Sequence, residues 1–315
     1  MKPKALRPGD TAGLITPSTY VSDPEKLLLA RMTVEALGLK LKVGRSVGRR
    51  DGYLGGTIAE RVADLHAMFS DPEVRAVFCI RGGYGAAMLL DRIDFALIQR
   101  NPKLFIGYSD ITALHLGIHG QTGLVTMHGP VTLSRFNDWT LEHFKRAVFE
   151  PKPLGLLRNP PEERPMRPKH LTRTVSPGKA TGPLTGGNLS LISSTMGTPW
   201  EIQTEGKILF LEDVDEPPYS VDRMLTHLRL AGKFRGIRGL IIGECADCVP
   251  RRPSAEGGFS LGEIYDNILG DLKVPVVTGL TIGHTDDQLT LPLGVEATLD
   301  ADAATLTINE AATTE

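Results

Sequence analysis

Cysteine is scarce in this 315-residue chain, which has only Cys79, Cys245 and Cys248. So few thiols cannot build a disulfide framework for a chain this long, and their odd number suits a reducing compartment. Aromatics are also few, at 6%, so aliphatic side chains must fill the interior. Neither sign of charge is in excess: 35 Lys and Arg stand against 37 Asp and Glu, a net charge of −2. The basic surplus of a nucleic-acid binder is therefore missing. No apolar run approaches the roughly 20 residues needed to span a bilayer. The opening MKPKALRPGD lacks the apolar core of a secretory signal. These absences predict a cytoplasmic protein with neither a membrane nor a nucleic acid as partner. Glycine (34) and proline (22), by contrast, are plentiful and imply many tight turns. Apolar content of 41% and charged content of 23% are ordinary for a globular chain and exclude wholesale disorder. At roughly 100–200 residues per domain, the length suggests two domains or one large one.

The first half alternates strand-like and helix-like patterns. Ala12–Thr16 is a short apolar run. Asp23-Pro24-Glu25 then starts a helix, with a capping acid, a first-turn proline and an acid near the positive end. Leu27, Ala30, Val34 and Leu37 follow at helical spacing, and Gly38 stops it. Leu39–Val43 alternates as a half-exposed strand. Ile58, Val62, Leu65 and Phe69 mark a second amphipathic helix. Val74–Ile80 and Leu104–Tyr108 are buried strand candidates, with a helix expected over Ile111–His119. Repeated β–α–β units of about thirty residues imply a parallel sheet with helices on its faces. The proline-rich stretch from Pro151 to Pro168 has no periodicity and reads as an inter-domain linker. The expected organisation is thus a first domain over 1–150, a linker over 151–177 and a second, smaller α/β domain over 178–315. In that last part Gly178–Gly187, Lys207–Leu211 and Leu240–Gly243 read as strands. Val221, Met224, Leu225 and Leu228, then Leu261, Ile264 and Ile268, mark helices.

Ligands of open parallel sheets bind at the carboxyl ends of strands, so polar residues just after strands carry the chemical interest. Arg81-Gly82-Gly83-Tyr84-Gly85 follows VRAVFCI. Its glycines would let backbone N–H groups approach a phosphate or a reaction oxyanion, or simply make a tight turn. It fits neither the dinucleotide fingerprint nor a Walker A loop. Gly107-Tyr108-Ser109-Asp110 follows LFI. There Ser109 would be either an exposed hydroxyl on a strand-to-helix elbow or an ordinary helix cap. Glu212-Asp213 ends KILFL, as a strand-end acid, a helix cap or an orienting carboxylate. Gly283-His284-Thr285-Asp286-Asp287 offers a general base or a surface histidine. Taken together these segments supply a nucleophile, an acid and a base in the order Ser109, Glu212, His284, with a candidate oxyanion hole beside them. Cys245-Ala-Asp-Cys248 lacks the further ligands of a zinc site and the helix-opening turn of a redox pair, so it reads as a chance spacing. His66, His115, His119 and His227 lie in helical patterns and read as packing or surface residues.

The segments RGGYGAAMLLDRIDF, KLFIGYSDITALH, MHGP, TGGNLSLISSTMGTPWE, ILFLEDVDEPPYSVDRMLTHL and GHTDDQLTLPLG occur in that order. In these the chain resembles the LD-carboxypeptidase family of serine peptidases, from Gly9 to Gly294. The resemblance implies a flavodoxin-like N-terminal domain and a smaller C-terminal α/β domain with the active site at their interface. It implies Ser109 as nucleophile, Glu212 as acid and His284 as base. The oxyanion hole would use the backbone N–H of Asp110 and that of Gly83, with Gly82 the alternative. It implies no metal and no cofactor, a homodimer, and release of the terminal D-alanine from cytosolic muropeptide tetrapeptides during peptidoglycan recycling. Arg81, Tyr84, His128, Asn188 and Arg223 are candidate contacts to substrate carboxylates and amides.

A rival within the family is an immunity peptidase of the microcin-C type, which cleaves a peptidyl or aminoacyl nucleotide with the same triad. Such members tend to carry extra aromatics for the base, whereas Trp139 and Trp200 are the only tryptophans here. Two readings from other classes compete. A non-catalytic two-domain binding protein explains a cleft but not Ser, Glu and His after three separate strands. A flavin-binding domain would make the purified protein coloured.

Overall fold

The computed structural model describes residues 1–162, 166, 168–251 and 258–315. In chain order the first strands are β1 (Thr11–Ile15), β2 (Lys40–Val43), β3 (Val74–Cys79), β4 (Leu104–Gly107) and β5 (Thr126–His128). They alternate with helices α1 (Pro24–Ala36), α2 (Ile58–Ser70), α3 (Phe95–Arg100) and α4 (Thr112–Thr122), and α5 (Asp138–Phe149) follows β5. Then come β6 (Pro153–Leu157), β7 (Arg173–Ser176), β8 (Lys179–Asn188), α6 (Leu189–Ser194), β9 (Ile208–Val214), α7 (Pro218–Leu230), β10 (Gly239–Ala246), α8 (Leu261–Leu269) and β11 (Val276–Leu280). Three strands close the chain: β12 (Leu291–Leu293), β13 (Glu296–Asp300) and β14 (Thr305–Ala311).

The chain divides into two compact units. The first comprises Met1–Lys152, Thr290–Gly294 and Ala311–Glu315. Its sheet has the order β2-β1-β3-β4-β5, all parallel, with β12 antiparallel on the β5 edge. That is the flavodoxin-like order of a doubly wound fold. The central strands are buried almost without break, from Ala76 to Ile80 and from Leu104 to Ile106, as a sheet covered on both faces requires. Local signals set the helix ends. Asp23 caps α1 by accepting the Glu25 N–H, and Thr57 with Glu60 forms a reciprocal capping box on α2.

The second unit comprises Pro153–Leu289 and Val295–Glu310. Its sheet runs β6-β14-β13-β8-β9-β10-β11-β7, with β8 to β11 parallel and β7 and β13 antiparallel beside them. Two expectations need correction here. The stretch 151–177 is not a bare linker, because β6 and β7 belong to the second sheet; its residues 163–165 and 167 lie outside the described residues. The region 178–315 is not one domain, because β12 and the last five residues belong to the first unit. The second unit is the smaller of the two, as expected. Among the described residues, no helix is long and apolar enough to cross a membrane.

Candidate active site

In the first unit the loops after β1, β3 and β4 leave the same edge of the parallel sheet. Ser109 directly follows the extended Tyr108 and adopts φ +66°, the left-handed region. A non-glycine residue there stores strain of about 1–3 kcal/mol and marks a sharp elbow. The elbow leads through a 3-10 turn, Ser109–Ile111, into α4. Neither Tyr108 nor Ile111, the residues at the cap positions of that turn and of α4, makes a side-chain capping bond. Ser109 is the first residue of the 3-10 turn, not the residue at either cap position.

The glycine turn lies against the serine. A Cβ on Gly82 would sit 2.8 Å from Ser109 Cβ, 3.1 Å from its Oγ and 3.3 Å from the Asp110 nitrogen. Only glycine admits so close an approach. Gly83 adopts φ +112°, and a Cβ there would overlap the Thr19 hydroxyl, which accepts the Tyr84 N–H at 3.0 Å.

Two buried charges hold this turn. The Asp110 carboxylate accepts the Ala86 N–H at 2.7 Å. Burial pushes its pKa above the usual carboxyl range, against the Ser18 hydroxyl, bonds from the Gly85–Ala86 backbone and the charge of Arg61. Arg61, on the core face of α2, donates to the carbonyls of Pro17 (2.6 Å), Gly85 (2.9 Å) and Gly56 (3.1 Å). Three loops are thus tied to one guanidinium.

In the second unit, Glu212 on β9 is fully buried, and its Oε2 accepts a hydrogen bond from His284 Nδ1 at 2.8 Å. His284 comes from the loop after β11, two strands away in the parallel run. Its side chain is only 17% exposed, so it is not a surface histidine. A carboxylate on Nδ1 fixes the tautomer and leaves Nε2 as the proton acceptor. Burial alone would lower the pKa of His284. The Glu212 bond and charge, with Asp213 beyond, outweigh that and raise it above 6.5. Gly283 has φ +87°, and a Cβ there would overlap the Glu212 carboxylate, so the dyad forms only because that position is glycine. Asp213, next along β9, plays another part: it accepts from Asn188 Nδ2 (2.9 Å) and from the Ser190 N–H (2.9 Å) and hydroxyl (2.7 Å).

The other candidates scatter. Arg81 lines a cavity of about 280 Å³ with Thr19–Asp23 and Lys26, and Tyr84 is exposed at 57%. His128 lies on β5, fully buried, with its ring 6.1 Å from that of Tyr108. Asn188 is buried and caps α6 through Leu191 N–H. Arg223 donates to the Ser220 hydroxyl at 3.0 Å and lies over the Tyr219 ring. Cys245 and Cys248 are free thiols at the end of β10. Among the described residues, no group of three or more His, Cys, Asp or Glu side chains is placed to hold a metal ion.

The family profile for the LD-carboxypeptidase N-terminal domain matches residues 12–129, and that for the C-terminal domain matches residues 181–299. The chain belongs to the LD-carboxypeptidase family. A probable murein peptide carboxypeptidase of Bacillus subtilis (strain 168) is 42% identical, over 98% of this chain and 94% of its own. The microcin C7 self-immunity protein MccF of Escherichia coli is 31% identical, over 97% and 94%. A structure of MccF with aspartyl sulfamoyl adenosine superposes with a TM-score of 0.89 at 29% identity, covering 100% of both chains. The muramoyltetrapeptide carboxypeptidase of Oxalobacter formigenes superposes with a TM-score of 0.82 at 28% identity, covering 97% of this chain and 100% of that one. As an LD-carboxypeptidase family member, the chain is a peptidase.

Two structural groups escaped the sequence reading. Arg61 had a signal, since it lies three residues after Ile58 and four before Leu65, on the apolar stripe of α2. His170 had none, because it lies in the aperiodic stretch read as a linker.

Proposed function

We propose that this chain is a serine LD-carboxypeptidase that releases the terminal D-alanine from murein tetrapeptides. The observation that carries the serine mechanism is the strained elbow at Ser109 with the Gly82-Gly83 turn packed on it. The substrate follows from the relative at 42% identity, a probable murein peptide carboxypeptidase. In the proposed reaction His284 Nε2 takes the Ser109 proton as the hydroxyl attacks the carbonyl before D-alanine. Glu212 holds the ring and stabilises the imidazolium. The N–H groups of Asp110 and Gly83 stabilise the tetrahedral oxyanion, each worth about 3 kcal/mol in sites of this type. His284 then passes its proton to the leaving amine, and water, activated by the same base, releases the acyl group. Arg81, with Lys26 beside it in its cavity, is the candidate for the terminal carboxylate. The family resemblance supports a cytosolic homodimer that works without metal or cofactor.

The test is D-alanine release from a murein tetrapeptide. Ser109→Ala should lower kcat on the order of a million-fold while leaving the circular dichroism spectrum unchanged; activity near wild type would overturn the assignment. The likeness to MccF supports a second reading, cleavage of an aminoacyl nucleotide by the same residues. Turnover of an aminoacyl sulfamoyl adenosine, with no D-alanine release from the tetrapeptide, would favour it.

A further inference from the structure

His170 is a buried histidine outside the proposed triad. Its ring lies between two carboxylates: Nδ1 is 2.7 Å from Glu244 Oε1 and Nε2 is 2.8 Å from Asp287 Oδ2. Glu244 stands on β10, and Asp287 lies three residues beyond His284 in the loop after β11. The side chain of His170 is only 4% exposed. We propose that His170 is a positioning residue that ties the His284 loop to the end of β10. The proposal rests on the reading of His284 as the general base.

The segment holding His170 is itself fastened to β11 and its loop. The Asn159 side chain donates to the Gly279 carbonyl at 2.7 Å and accepts the Thr281 N–H at 2.9 Å. A Cβ on Gly279 would overlap the Leu171 carbonyl. The Glu162 carboxylate accepts the backbone N–H groups of Lys169 (2.9 Å) and His170 (2.8 Å). The loop that presents His284 is thus braced on the side of Asp287 as well as by Glu212.

Proton counting makes the tie sensitive to pH. A neutral imidazole has one N–H, and a carboxylate has none to give. Two short contacts from one ring to two carboxyl groups therefore need one further proton, on the ring or on Glu244. Burial favours a proton on Glu244, against the bond and charge of His170. Among the described residues, the charged groups facing the cluster include Lys169, which donates to Asp287 Oδ2 at 2.6 Å, Asp286, 3.7 Å from the Lys169 ammonium, and Glu162, whose carboxylate accepts the His170 N–H. When the shared proton leaves, His170 can donate to only one carboxylate and the brace opens.

Three proteins test this in the tetrapeptide assay. In the wild type kcat should fall as pH rises through the loss of the shared proton, which gives the pH profile an alkaline limb. Glu244→Gln puts a permanent N–H opposite Nδ1, so it should keep activity and flatten that alkaline limb. His170→Asn should lower kcat about 10- to 100-fold, the loss typical when an outer partner of an active-site histidine is removed, with KM within twofold. If His170→Asn fails to fold, Asp287→Asn serves the same comparison from the loop side. A kcat within twofold of wild type in the folded variant, or an alkaline limb that persists in Glu244→Gln, would overturn the proposal. Should the wild type release no D-alanine, the functional reading fails separately. The same three proteins can then be compared by proton NMR of the buried ring N–H protons, where loss of one signal at alkaline pH in the wild type but not in Glu244→Gln supports the shared proton and its absence refutes it.

Discussion

Gly283 shows how a single position sets the chemistry of a neighbour. Its φ of +87° disfavours any L side chain, and the space for a Cβ is already filled by the Glu212 carboxylate. Gly283→Ala should therefore destabilise the chain by about 1–3 kcal/mol, and should cost kcat more than KM by pushing Glu212 off His284. Urea unfolding and steady-state kinetics check both. His284 carries a second residue-level prediction. Its pKa is raised above 6.5 because Glu212 outweighs burial, and in the proposed mechanism only the neutral ring can accept the Ser109 proton. The acid limb of kcat/KM should consequently have its midpoint above 6.5, with activity lost as pH falls through it. The linked stability has the opposite sense: the charged dyad stabilises the fold at low pH, and that contribution is lost as pH rises through the raised value. Glu212→Gln should move the limb downward; an unshifted limb would mean that another group titrates.

At the scale of elements, α2 and the loops around it act as one piece through Arg61. Its guanidinium serves the loops after β1 and β3 and the entry to α2 itself, and it faces the buried Asp110. Arg61→Ala leaves three carbonyls short of a donor and one buried carboxylate without its cation, a loss on the order of 3 kcal/mol or more. Arg61→Ala/Asp110→Asn should recover part of it, because the second change removes the stranded charge. Thermal unfolding of the single and double variants measures the coupling; strict additivity would show that the two residues act independently. What the sequence made legible here follows from range. The ends of α1 and the elbow at Ser109 depend on residues a few positions apart, so Asp23-Pro24 and GYSD announce them. β6 and β7 are edge strands with many exposed positions, and their partners β14 and β11 lie far along the chain, so no local period marks them. His170 meets Glu244 and Asp287 across 74 and 117 residues, and no spacing rule reaches that far. Glu212 was legible as a candidate because it follows a recognisable strand, and His284 because it lies in a familiar segment.

For the molecule as a whole, the path of the chain decides what can be cut. The first unit is not a continuous N-terminal domain, because it takes in Thr290–Gly294 and Ala311–Glu315. β12 closes its sheet, pairing Leu291 with His128 and Leu293 with Thr126. Both leucines are fully buried, and each contributes about 1.5–3 kcal/mol. The C-terminal residues add a second clasp, with Ala5 N–H donating to the Thr314 carbonyl and Thr314 N–H to that of Pro3. Against a typical domain stability of about 5–15 kcal/mol, losing these pieces is decisive. A fragment ending at Lys152 would also leave β5 as a bare edge beside exposed apolar surface, the arrangement that invites aggregation. That fragment should lack a cooperative urea transition and precipitate during purification. Fusing residues 290–294 and 311–315 to it through flexible linkers should restore cooperative unfolding. A fragment of residues 1–152 that unfolds cooperatively at the midpoint of the whole chain would show that the returning segments merely decorate a sheet already complete.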